Sequence, residues 1–212
     1  MIDYLKDPEA IYARSFATIR AEADLSALPE SLRPVALRLI HACGMTDLLP
    51  DLRFSAEAPD AARLALEAGS PILADCKATA AGIIRRRLPA ATQIVCTLND
   101  PRVPSLAAEA ATTRSAAAVS LWRDRLDGAV VVIGNAPTAL FALLEALDGG
   151  APKPAAILAF PVGFVGAAES KAELAANPRE VSFVTLLGRR GGSAMAAAAL
   201  NALAGEGQCS AG

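Results

Sequence analysis

The chain carries a single histidine, His41, in the stretch Arg38-Leu39-Ile40-His41-Ala42-Cys43-Gly44. That stretch reads as the last turn of a helix stopped by Gly44. A helix C-terminus favours an imidazolium by about 0.3–1 kcal/mol, which opposes the desolvation that would keep the ring neutral. His41 therefore reads either as a general acid or as a core or interface histidine satisfied by one hydrogen bond; position alone favours the second. Arg114, in Thr112-Thr113-Arg114-Ser115, is either a clamp for a ligand carboxylate or a surface arginine beside a helix cap supplied by Thr112 or Thr113. Ser15 is a helix-tolerated serine or a ligand hydrogen bond. Three glycine-containing stretches, Gly134-Asn135-Ala136-Pro137-Thr138, Pro161-Val162-Gly163-Phe164-Val165-Gly166 and Gly188-Arg189-Arg190-Gly191-Gly192-Ser193, each follow an apolar run and precede a helical pattern. Backbone N–H groups at such helix starts suit an anion.

These residues need a scaffold, and the apolar pattern supplies one. Asp7-Pro8 starts a helix carrying Tyr12, Phe16, Ile19 and Ala23. Further helices are expected over 30–43 and 59–68. Short apolar runs then alternate with helical segments. The runs are 71–75, 93–97, 130–133, 156–160 and 181–186; the helices are 78–87, 113–126, 140–147, 167–176 and 193–204. The longest loop is expected at 98–111, around Pro101 and Pro104. Buried parallel strands read as continuous apolar runs, as these do. The fold class is therefore α/β: a three-layer α/β/α sandwich with a mainly parallel sheet of about five strands. In such a sheet ligands bind beyond the carboxyl ends of the strands, so all three glycine-containing turns should line one edge. A single domain over 1–212 is expected, with a disordered tail at 205–212.

Composition narrows the function. The chain has 212 residues, 53% of them hydrophobic, and a net charge of -2. That excludes intrinsic disorder and gives no basic surplus for nucleic acid or an anionic membrane. No uncharged apolar run is long enough to span a bilayer, and the N-terminus lacks a signal core. The four cysteines form no CxxC pair, so reduced thiols in a cytoplasmic protein are expected. One histidine excludes a multi-histidine zinc site, and no metal site is expected. Gly163-Phe164-Val165-Gly166 matches only part of a dinucleotide fingerprint and sits late; a phosphate loop and a nucleophile elbow are both missing.

Several stretches resemble precorrin-8X methylmutases of cobalamin biosynthesis. They are residues 11–20 (Ile-Tyr-Ala-Arg-Ser-Phe-Ala-Thr-Ile-Arg), 40–44 (Ile-His-Ala-Cys-Gly), 113–118, 134–140, 152–157, 161–171 and 191–195, in order over about 4–204. Each motif alone is weak; the ordered set is specific. The resemblance implies a methyl shift from carbon 11 to carbon 12 of precorrin-8X, giving hydrogenobyrinic acid on the aerobic route, with no cofactor. It implies His41 as proton donor or acceptor and Ser15 as a substrate contact, in a homodimer with the active site at the interface. Thr113, Arg114, Gly192 and Ser193 join them as expected substrate-binding residues, since a ring bearing many carboxylates needs donors at its rim. A reaction without a leaving group needs one acid and no nucleophile, which suits a lone histidine. The alternatives are a cobalt-precorrin-8 methylmutase of the anaerobic route, and a non-catalytic corrinoid-binding or channelling protein.

Overall fold

The computed structural model describes Ile2 and residues 4–204. The tail expected at 205–212 lies outside the described residues. In chain order the elements are α1 (Pro8–Glu22), α2 (Arg33–Cys43), β1 (Leu52–Phe54), α3 (Ala58–Glu67), β2 (Ile72–Ala74), α4 (Lys77–Ala81) and β3 (Ile94–Val95). They continue with α5 (Val103–Glu109), α6 (Arg114–Ser120), β4 (Val130–Ile133), α7 (Pro137–Asp148), β5 (Ala156–Ala159), α8 (Ala167–Ala176), β6 (Ser182–Leu186) and α9 (Ser193–Leu203). The sheet order is β1-β6-β5-β4-β2-β3, and only β1 runs antiparallel, against β6.

Alternation along the central strands sends side chains to both faces. Val130, Val132, Leu158 and Val184 pack with α2, α3 and α9, while Val131, Ile133, Ile157 and Phe183 pack with Trp122, α7 and α8. All of β4 and β5 is buried, so these strands carry no polar residue on either side. The α/β/α sandwich and the parallel core follow the sequence pattern; β1 adds a sixth strand to the expected five.

Local chemistry sets the helix ends. The Asp7 carboxylate accepts from Ala10 N at 2.8 Å, capping α1, and Pro8 occupies its first turn. α2 stops at Gly44. The helix expected over 78–87 ends instead at Ala81, because Gly82 and two β-branched residues follow. Asn201 fixes that break: its amide donates to Gly82 O at 2.9 Å and its oxygen accepts from Ile84 N at 2.8 Å. The helix expected over 113–126 ends at Ser120 and continues as a 3₁₀ turn at Arg123–Arg125. The loop expected at 98–111 contains α5; Pro104 sits in its first turn, where a missing N–H costs nothing.

Candidate active site

The turns after β2, β4, β5 and β6 share the carboxyl edge of the sheet. Asp75, the residue after β2, organises it. Its side chain is 3% exposed. One carboxylate oxygen accepts from Gly134 N at 2.9 Å and Thr79 Oγ1 at 3.1 Å. The other accepts from Asn135 N at 2.8 Å and Ala136 N at 2.9 Å. This corrects one expectation: the turn after β4 does not offer these N–H groups to a ligand, because Asp75 takes all three. A buried carboxylate is tolerable only when so many donors meet it.

Beside Asp75, Thr79 Oγ1, Cys76 Sγ and Ser193 Oγ form a triangle. Cys76 Sγ lies 3.2 Å from Thr79 Oγ1 and 3.3 Å from Ser193 Oγ, and the two hydroxyl oxygens are 3.1 Å apart. Gly134 makes that meeting possible: a Cβ there would stand 2.6 Å from Thr79 Oγ1 and 2.7 Å from Ser193 Cα. Ser193 opens α9, whose preceding residue, Gly192, donates its N–H to Phe160 O at 2.8 Å. Among the described residues no side chain caps α9, so its first N–H groups meet no capping acceptor there.

The turn from β6 to α9 is pinned at several points. Gly191 lies so close to the β5 turn that a Cβ would stand 2.3 Å from Phe160 O. The Arg190 guanidinium donates both ways to Asp47, at 2.7 and 2.9 Å, and holds that carboxyl below its ordinary range. Arg190 is thus committed to the protein, and Arg189 remains as the exposed cation of the pair. Its guanidinium sits 5.3 Å over the ring of Phe164, which is 84% exposed.

Thr113, rather than Thr112, caps α6, accepting from Ala116 N at 3.1 Å. Its hydroxyl also meets Thr138 Oγ1 at 2.8 Å, in the first turn of α7. Arg114 is exposed and folds back, donating to Leu98 O and Asn99 Oδ1 at 3.2 Å each. Ala111, three residues earlier, holds φ of 46°, a strained value for a residue with a side chain.

His41 and Ser15 form a second group, on α2 and α1. Ser15 Oγ and His41 Nδ1 are hydrogen-bonded at 2.8 Å. The imidazole stacks on Phe16 with centroids 5.0 Å apart and meets Tyr12 edge-on at 5.5 Å. These contacts fix the ring and leave Nε2 as the nitrogen not bonded to Ser15. The pair borders a cleft of about 430 Å³ whose walls include Ile11, Arg14, Thr18 and Thr46. The Asp47–Arg190 pair joins the segment following α2 to the β6–α9 turn, so both groups belong to one end of the molecule. The structure thus brings Thr113, Gly192 and Ser193 onto the sheet edge and pairs Ser15 with His41. Arg114 stands on the loop at 98–99.

Sequence reasoning missed Asp75 and Thr79. The available signal was an acid directly ending the apolar run Ile72-Leu73-Ala74, where burial demands donors.

No helix among the described residues is long and apolar enough to cross a membrane. The family profile of precorrin-8X methylmutase matches residues 10–206. A precorrin-8X methylmutase from Pseudomonas aeruginosa is 63% identical over 206 residues, covering 97% of this chain and 99% of its own. A cobalt-precorrin-8 methylmutase from Priestia megaterium is 34% identical, covering 92% and 87%. The crystal structure of a precorrin-8X methylmutase from Thermus thermophilus superposes with a TM-score of 0.82 at 39% identity, over 92% of this chain and 94% of that one. With the profile spanning nearly the whole sequence and the fold shared along with it, the chain belongs to the precorrin-8X methylmutase family of methyl-shifting isomerases.

Proposed function

We propose that the chain moves the methyl group from carbon 11 to carbon 12 of precorrin-8X, giving hydrogenobyrinic acid on the aerobic route, with His41 as the general acid. The observation that carries this reading is the Ser15–His41 pair lining a cleft, in a chain of this family. In the imidazolium, Nδ1–H donates to Ser15 Oγ and Nε2–H is the proton presented to the macrocycle. Protonation draws electron density from the ring system and lowers the barrier to migration. The methyl then shifts within the molecule, and the proton returns to Nε2. Nothing leaves and nothing is added, so no nucleophile is required.

The ring's carboxylates need donors. Arg189, Arg114, Thr113 and the uncapped first N–H groups of α9, from Ser193 onward, supply them, the Gly192 N–H being held by Phe160 O. Ser15 serves the substrate through His41, by fixing which nitrogen faces it. A homodimer is part of the proposal. Tyr4, Leu5, Ile11 and Tyr12 are exposed apolar residues on and beside α1, and a second copy covering them would also close the His41 cleft.

An absorbance time course with precorrin-8X tests the reading. Wild type should develop the hydrogenobyrinic acid spectrum; His41→Ala should bind the ring and lose turnover. Unchanged turnover in His41→Ala sinks the acid role. The Priestia megaterium relative favours a second substrate, the cobalt-loaded ring. The metal-free ring ranks first because the relative named for it is 63% identical. Parallel turnover on both rings separates the two.

A further inference from the structure

α8 buries a lysine. Lys171 is 0% exposed, and its ammonium donates to Arg190 O at 2.6 Å. Among the described residues it forms no ion pair, and the Asp51 carboxylate attracts it only from beyond ion-pair distance. An apolar side chain of equal length would fill the same space without desolvating a charge. Stability therefore does not explain the ammonium, and its partner does. Arg190 is the residue at which the β6–α9 turn meets the segment following α2: its guanidinium holds Asp47, and its carbonyl holds Lys171. On one side of Arg190 stands Arg189, over Phe164; on the other, past Gly191 and Gly192, stands Ser193. On the Asp47 side, Thr46 and Gly44 line the His41 cleft.

We infer that Lys171 is a positioning residue for the methyl shift: its ammonium, through the Arg190 carbonyl, sets the β6–α9 turn against the Asp47 segment and so aligns the carboxylate donors at Arg189 and Ser193 with the His41 cleft. The inference rests on the function proposed above. The Arg190 backbone cannot move toward solvent without leaving a buried ammonium unpaired, and Gly191, packed against the Phe160 carbonyl, blocks movement the other way. Lys171 touches no reacting atom. Its role is expressed in substrate binding, while the proton donor on α2 stays in place.

The test compares wild type, Lys171→Met, Asp47→Asn and the double variant in steady-state assays on precorrin-8X, with thermal unfolding alongside. Methionine keeps the apolar stem and removes the donor. Lys171→Met should retain or raise Tm, raise KM about tenfold, the size of one displaced hydrogen bond, and leave kcat within about threefold. Because both residues act through Arg190, the two KM effects should combine to less than their product. KM within about twofold of wild type, multiplicative effects in the double variant, or a loss of activity that tracks a fall in Tm each overturn the inference. Absence of conversion by wild type removes the functional reading and this inference together. Turnover by wild type with an unchanged KM in Lys171→Met removes only the latter.

Discussion

Replacing Asp75 by alanine leaves three backbone N–H groups of the turn after β4 without their acceptor. Gly134 and Ala136 are buried, whereas water can reach Asn135. Each stranded buried donor costs about 1–3 kcal/mol, so the two buried ones set a loss of roughly 2–6 kcal/mol. Thr79 re-pairs with Ser193 and adds little. In a chain of this length each kcal/mol moves Tm by about 2–4 °C, giving a fall on the order of 10 °C. Asp75→Asn should cost less, about 1–2 kcal/mol. Its amide nitrogen can face Thr79, whose hydroxyl turns to accept, so only the Gly134 N–H loses its partner, while the remaining oxygen still serves Asn135 and Ala136. Urea unfolding of the three proteins gives the order directly. An alanine variant within about 0.5 kcal/mol of wild type refutes the clamp, and so does an asparagine variant as damaged as alanine.

Gly191→Ala drives a Cβ to 2.3 Å from Phe160 O, against backbone that cannot yield. The β6–α9 turn should shift, with product affinity measured by spectral titration falling at least about tenfold; normal affinity would show that the turn carries no ligand contact. Burial pushes the Lys171 amine down from 10.5 to about 8. Between those values the unfolded chain binds more protons than the folded one, so this group's contribution to stability rises with pH. Relative to Lys171→Met, wild type should gain at most about 3 kcal/mol between pH 7 and pH 10.5. A gap that stays constant across that range, read from urea midpoints, contradicts the burial of a charge.

The central strands were legible because both of their faces are covered, so β4 and β5 are apolar at every position. β1 was not. It has three residues with Arg53 in the middle, and at an edge its pairing with β6 comes from tertiary contact, not from pattern. α5 was hidden by prolines read as breakers, although Pro104 occupies the one turn that tolerates it. In the site, His41 stood out by being unique. Ser15 was visible as a residue, but its bond to Nδ1 depends on how α1 lies across α2. That Arg190 is held by a carboxylate is not legible in the sequence, because its partner Asp47 is remote along the chain. Asp75, Thr79 and Lys171 are ordinary residue types whose meaning arises from burial, which spacing alone does not encode.

The helix that presents Ser15 holds the protein by few points. Of the fifteen residues of α1 only Phe16 and Ile19 are buried. Such a segment detaches by sub-global opening at a fraction of the free energy needed to melt the sheet. When it detaches, His41 loses its hydrogen-bond partner and its stacking ring at once, while the sheet edge, anchored through Asp75 and α9, stays assembled. On the function proposed above, proton transfer and ring capture are therefore governed by different cooperative units. Anything that settles on the outer face of α1 should raise the population in which the proposed acid is held in place, and the turnover number then becomes a function of how much of the protein is dressed in that way.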